Sequence, residues 1–225
     1  MFERLISLVG KDKFSKLQST NVLVVGIGGV GGYALEALVR SGIQNISIID
    51  GDNVELSNLN RQIISDNENI GEEKVEVAKQ RVLKINPDAD ITTFNVNLDE
   101  TNIDAILIQG YDYIIDACDT VSTKLLLITN ASKYNYKLIS SMGTANKTNP
   151  SLFSITELSK TKNDPLARIL RKKVKDLNIN RKVMVVSSTE TPAQNDVLGT
   201  NSYIPGIAGL LCASYVINDI TKSKL

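Results

Sequence analysis

The stretch Val22-Leu-Val-Val-Gly26-Ile-Gly28-Gly29-Val30-Gly31 decides how the rest of the chain is read. Four β-prone apolar residues run into Gly26-x-Gly28-x-x-Gly31, and a helical pattern opens directly behind them. Strand, tight turn and helix in that order make a phosphate-binding βα unit: the glycines let backbone approach phosphate, and the helix start offers free N–H groups and the positive end of its dipole. Asp50 closes the next β-like run, at the distance where an acidic side chain accepts ribose hydroxyls. Glycine turns also serve structure alone, so it is the acid and the flanking elements that point to an adenine nucleotide, with NAD or FAD as the ordinary choice.

Downstream residues argue for ATP instead. A dehydrogenase only holds its dinucleotide, whereas attack on the α-phosphate of ATP needs groups that neutralise phosphate charge and hold Mg2+. Asn58, Arg61 and Gln62 follow Asp50-Gly-Asp52 in a polar loop, Lys74 opens the next helical pattern, and Asp116-Ala-Cys-Asp119 closes the run Tyr113-Ile-Ile. In a parallel sheet these strand ends gather at one carboxyl edge, where open α/β sheets bind ligands. Taken singly, each has a plainer reading. Asp52, Asp116 and Asp119 suit strand ends or helix caps, Asp119 ahead of the helical run from Val121, and an isolated Arg61 or Lys74 suits a solvated surface.

Taken together, Gly26-Ile-Gly-Gly-Val-Gly31, Asp50-Gly-Asp52, Ser57-Asn-Leu-Asn-Arg-Gln62, Ile70-Gly-Glu-Glu-Lys74, Ile85-Asn-Pro87 and Asp116-Ala-Cys-Asp119 resemble the E1-like adenylating enzymes in order and spacing. The resemblance implies a Rossmann-like fold binding ATP and Mg2+. It gives nucleotide contact to Gly26, Gly28, Gly29, Gly31, Asp50, Asp52, Asn58, Arg61, Gln62, Lys74 and Asp119. Asp50 would hold ribose, Asn58, Arg61 and Lys74 the phosphates, and Asp119 the metal, with Arg61, Lys74 and Asp119 carrying catalysis. Asn163-Asp-Pro-Leu-Ala-Arg-Ile-Leu-Arg171, Val185-Val-Ser-Ser-Thr-Glu190 and Gly206-Ile-Ala-Gly209 extend the likeness to the branch that dehydrates N6-threonylcarbamoyladenosine in tRNA. A tRNA substrate and a homodimer are implied with it. The alternative branch adenylates a ubiquitin-like sulfur-carrier protein; the paired Cys-x-x-Cys zinc sites common there are absent. Some relatives carry a cysteine just before the last Gly-rich helix, where this chain reads Thr200-Asn-Ser-Tyr-Ile-Pro-Gly206.

The 225 residues suit one α/β domain: a leading helical segment (1–20), a nucleotide-binding core (21–143), and a substrate-facing extension with a closing helix (144–225). Lysine and arginine balance aspartate and glutamate at 25 each, so no overall field favours membrane or nucleic acid. A local one does: residues 160–182 hold nine Lys or Arg against two Asp. No histidine is present, which removes imidazole chemistry, and Cys118 and Cys212 read as packed thiols in a reducing cytoplasm. The start, Met-Phe-Glu-Arg-Leu, lacks the basic-then-apolar order of a signal peptide, and the apolar run 204–220 is broken by Pro205, Asn218 and Asp219.

Alternation places strands near 21–26, 45–50, 91–96, 112–117 and 137–141, and helices near 29–41, 72–85, 101–109 and 122–134, after one short helix or a pair of turns over 2–17. The fold class is α/β, a doubly wound and mostly parallel sheet. Beyond Gly143 the pattern changes: Leu152–Leu158 and Val183–Ser188 read as an antiparallel pair forming a small extension in the C-terminal third. Between them Asp164 caps a helix that starts at Pro165. Leu166, Ile169, Leu170, Val174 and Leu177 are expected to form its apolar stripe, leaving Arg168, Arg171, Lys172 and Lys175 outward as candidate contacts for tRNA.

Overall fold

In the computed structural model, which describes residues 1–194 and 196–222, the βα alternation closes into one seven-stranded sheet. The strands are β1 (Asn21–Val25), β2 (Asn45–Ile49), β3 (Asp90–Phe94), β4 (Tyr113–Asp116), β5 (Lys137–Ser141), β6 (Phe153–Glu157) and β7 (Met184–Ser188), in the order β3-β2-β1-β4-β5-β7-β6. All neighbours pair in parallel except β6, which lies antiparallel on β7 at one edge. The strand order reverses between β1 and β4, the switch point at which doubly wound sheets open a crevice.

Alternation along each strand divides the core into two. Val22, Val24, Ile46, Ile48, Ile115, Ile139 and Val186 face one side. There they meet α2 (Lys11–Ser19), α3 (Gly31–Arg40), α4 (Lys74–Ile85) and α8 (Tyr203–Thr221). Leu23, Val25, Ile49, Ile114, Leu138 and Val185 face the other, against α5 (Ile103–Leu107), α6 (Val121–Asn130) and α7 (Pro165–Asp176). Each such aliphatic side chain contributes about 1.5–3 kcal/mol on burial.

The leading segment forms two helices, α1 (Glu3–Val9) and α2, broken at Gly10. By length and composition α8 is a candidate membrane span, with 19 residues and a mean hydropathy of 1.3. Here it is a core helix: Ile204, Ala208, Cys212, Ala213 and Val216 are buried against α3 and the sheet. A Cβ on Gly209 would lie 2.1 Å from the Val30 carbonyl oxygen, so the close crossing of α8 over α3 requires glycine there.

Helix α7 departs from its expected facing. Asp164 caps it as foreseen, its Oδ1 accepting from the Ala167 amide at 2.9 Å. The inward face, however, is Ala167, Leu170 and Val174, while Ile169 and Leu177 are 46% and 53% exposed. Arg171 falls on that inward face. Its guanidinium donates to the Thr161 carbonyl at 2.9 Å and to the Thr161 hydroxyl, so it ties the helix to the preceding turn instead of standing outward with Arg168, Lys172 and Lys175. A long side chain with a polar tip can occupy such a half-buried position, which an apolar count does not foresee.

Candidate functional site at the carboxyl edge

The carboxyl ends of β1, β2 and β4 lie level because Val25 pairs with both Ile49 and Asp116. Gly26 leaves β1 with φ of +87°, and a Cβ on it would meet the Ala117 and Cys118 backbone at 3.0 Å. A Cβ on Gly31 would lie 1.7 Å from the Gly26 carbonyl oxygen. These two glycines are therefore demanded by the fold. Gly28 is not: the nearest atom to its Cβ position is Gln62 Nε2, at 3.8 Å. The open ground before Gly28 and the turn leading into α3 fit an approaching phosphate chain.

Asp50 is bound into this turn. Its Oδ2 accepts from the Ile27 amide at 2.6 Å and its Oδ1 from the Asp52 amide at 2.9 Å. Lys74, the first residue of α4, is buried, with its Nζ 2.8 Å from Asp52 Oδ2 and 3.8 Å from Asp50 Oδ1. Three residues singled out separately in the sequence thus form one ionic cluster beside the glycine turn.

The segment from Ser57 to Gln62 flanks the same turn. Asn58 is buried and closes a short 3-10 turn, its Oδ1 accepting from the Glu55 amide and its Nδ2 donating to Ser57 Oγ, so its amide is engaged within the loop. Arg61 donates to the Ser57 carbonyl at 2.7 Å and to Asn60 Oδ1 at 3.1 Å. Its backbone lies against Gly29, whose Cβ would meet the Arg61 carbonyl oxygen at 3.4 Å and Pro205 Cβ at 3.0 Å. Gln62 is buried beneath Gly28.

Asp119 stands exposed beyond β4, accepting from the Thr120 hydroxyl at 3.4 Å. It is not the cap of α6; Thr120 occupies that position, with no side-chain capping bond. Among the described residues no group of three His, Cys, Asp or Glu forms a metal cage. One exposed carboxylate beside the open turn fits Mg2+, which binds through one or two carboxylates, phosphate oxygens and water.

Beneath Asp119 lies a pair that the sequence reading missed. Lys124 is fully buried, its Nζ 3.1 Å from Asp116 Oδ1, 3.2 Å from Ser140 Oγ and 2.8 Å from the Ser141 carbonyl. Asp116 also accepts from the Ser140 hydroxyl at 2.6 Å and from the Cys118 amide and thiol. The visible signal was a lysine three and four residues before Leu127 and Ile128, on the apolar face of its helix. Burial, with the Asp116 charge beside it, pushes the Cys118 thiol far above the ordinary thiol range, and burial pushes that of Cys212 up to about 12. Neither is a ready nucleophile.

A second buried pair joins Lys147 to Asp164 at 2.8 Å, with Lys147 also donating to the Gly143 carbonyl. The segment after β7 is stitched over this region: Asn146 exchanges bonds with Gly199 and Ala193, Glu190 accepts from the Thr148 and Asn149 amides, and Asn60 reaches the Thr200 carbonyl. The C-terminal third is thereby fastened to the edge that carries Arg61.

Fold and edge together define a doubly wound α/β protein of the nucleotide-binding kind, with its open crevice between β1 and β4. The chain belongs to the ThiF family, whose model matches residues 2–224. It is 35% identical over 240 residues to the tRNA threonylcarbamoyladenosine dehydratase of Bacillus subtilis, covering 98% of this chain and 94% of that one. The E. coli tRNA N6-threonylcarbamoyladenosine dehydratase, TcdA, solved in complex with ATP, superposes with a TM-score of 0.93 at 33% identity, covering 97% and 93% of the two chains. A Saccharomyces cerevisiae protein named adenylyltransferase and sulfurtransferase UBA4 is 40% identical over 128 residues, which is 57% of this chain and 29% of that one.

Proposed function

We propose that this protein is an ATP-dependent tRNA threonylcarbamoyladenosine dehydratase. The observation that carries the reading is the near end-to-end likeness to dehydratases, whereas the likeness to the adenylyltransferase and sulfurtransferase stops at about half the chain. ATP lies along the carboxyl edge, its phosphates before Gly28 and the start of α3. Asp50 takes the ribose. Arg61 offers a planar fork and Lys74 a point charge to the phosphates, Lys74 turning from Asp52 as phosphate oxygen replaces carboxylate. Asn58 and Gln62 shape the loop that presents Arg61. Asp119 holds Mg2+, which supplies charge neutralisation at the phosphates when bound.

The chemistry follows from the leaving group. Carboxylate oxygen leaves poorly, so the threonyl carboxylate attacks the ATP α-phosphate, releasing pyrophosphate and forming an acyl adenylate. The neighbouring carbamoyl group then attacks the activated carbonyl, AMP departs with the carboxylate oxygen, and one proton is lost to solvent. Ring closure within one molecule has the proximity advantage of a unimolecular step and needs no enzyme thiol. Residues 21–143 serve the nucleotide and 144–225 the tRNA, whose phosphates meet Arg168, Lys172 and Lys175 on α7, with Arg171 holding that helix in place. We propose that it acts on tRNA in the cytoplasm, and as a homodimer. The test is incubation with ATP, Mg2+ and tRNA carrying the modified adenosine: dehydrated nucleoside and AMP are expected, and ATP–pyrophosphate exchange that requires a carrier protein would favour the sulfur-carrier reading.

A further inference from the structure

Helix α7 connects the two edges of the sheet. It starts at Pro165, where Asp164 is held near Gly143 at the carboxyl edge, and it runs antiparallel to β7, so that Asp176 lies toward the amino edge. Its 12 residues span about 18 Å. Arg168, Lys172 and Lys175 recur at helical spacing along one exposed stripe, and none makes an ion pair among the described residues. Five residues past the end of α7, Arg181 enters a cleft of about 950 Å³ at the amino edge, where Lys16, Ser132 and Asn135 line the wall with it. Arg181 and Lys16 are likewise without ion-pair partners among the described residues; the other cation of the cleft, Lys137, is neutralised by Asp219 at 2.6 Å. Among the described residues the one lining carboxylate, Asp112, accepts from the Asn21 amide.

We infer that this cleft is a second RNA-backbone site, so that the tRNA leaves the active edge along α7 and seats stem phosphates at Arg181 and Lys16 on the opposite edge. The inference rests on the tRNA reading above and gives the substrate a direction. Hydroxyl and amide donors at Ser132 and Asn135 beside two unpaired cations suit phosphate and sugar contacts, which position a nucleic acid without reading its sequence. The partners are charges spaced along the protein, so binding through them falls with salt. RNA that touches both edges must extend beyond the length of α7. A short hairpin carrying the modified adenosine ends before the cleft.

The double variant Lys16→Glu/Arg181→Glu separates the possibilities when full-length tRNA and a hairpin of a few closing pairs are each titrated across a salt series. Expected is at least roughly tenfold weaker binding of full-length tRNA, with a log–log salt slope smaller by about two, and an unchanged hairpin affinity. The variant Arg168→Glu/Lys172→Glu/Lys175→Glu should weaken both RNAs. Unchanged full-length binding in the cleft variant, with the α7 variant impaired, overturns the second site alone. Equal weakening of hairpin and full-length tRNA by the cleft variant overturns it too. Wild-type binding in both variants removes the tRNA role of α7 as well.

Discussion

The Lys124 ammonium lies 3.1 Å from the Asp116 carboxylate, both fully buried, directly under the turn that carries Asp119. Asp116 accepts from the Cys118 amide, and Gly26 leaves room for the Ala117–Cys118 backbone to pack against the glycine turn. The pair therefore fixes the relative position of the two turns that face the crevice.

Removing one member leaves an uncompensated charge in the core. Lys124→Met should cost about 3–5 kcal/mol of stability, and Lys124→Met/Asp116→Leu should recover much of it, as measured by urea denaturation. A cost below about 1 kcal/mol for the single change would show the pair to be dispensable.

The same pair sets a pH dependence. Burial is the largest single influence and lowers the affinity of Lys124 for its proton, but the Asp116 charge and hydrogen bond together with Cys118 and Cys212 beside it outweigh it, and the net shift is upward. The folded value exceeds the unfolded one, so the stabilisation is fully present below the unfolded lysine value of about 10.4 and is lost as pH rises through the folded value. The stability gap between wild type and Lys124→Met/Asp116→Leu, which leaves no unpaired carboxylate in the core, should thus hold constant from about pH 7 to 10 and shift against the wild type above it. A gap that changes between pH 7 and 9 contradicts this.

The glycines separate fold from ligand. Gly31→Ala should prevent normal folding, because its Cβ would lie 1.7 Å from a carbonyl oxygen, whereas Gly28→Ala should fold and melt near the wild-type temperature with weaker ATP binding. Circular dichroism and calorimetric titration read the two effects. Undiminished ATP affinity in Gly28→Ala would place the phosphates elsewhere.

Much of this edge was legible in the chain, because βα order, glycine spacing and strand-end acids are local signals that a parallel sheet gathers at one edge. The roles of Asn58 and Arg171 were less so. Each is a polar residue consumed by a contact formed in the fold, Asn58 within its own turn and Arg171 with Thr161. Lys124 was hidden for the same reason. Its partner lies eight residues away on another element, and only tertiary packing shows that a lysine on an apolar helix face is satisfied. The stripe of α7 was only partly placed: Leu170 and Val174 turn inward as counted, but Ile169 and Leu177 stand exposed while Ala167 takes the tight position against the core.

Thiols and charged groups should differ sharply under substitution. Cys118→Ser with Cys212→Ala should keep activity within about tenfold, since both thiols are held protonated and ring closure uses no enzyme nucleophile. Asp119→Ala and Arg61→Ala should each lower turnover by about 10²-fold or more while the melting temperature holds, as expected when transition-state charge loses a partner. Loss of all activity in the folded cysteine variant would restore a covalent route, and near-wild-type turnover in the other two would remove their roles.

The most direct measurement is mass spectrometry of nucleosides from tRNA bearing N6-threonylcarbamoyladenosine after treatment with the protein, ATP and Mg2+. The account predicts that the modified nucleoside loses the mass of one water, with one AMP and one pyrophosphate formed per ring closed and no requirement for a carrier protein. An unchanged nucleoside in the presence of bound, hydrolysable ATP would contradict it.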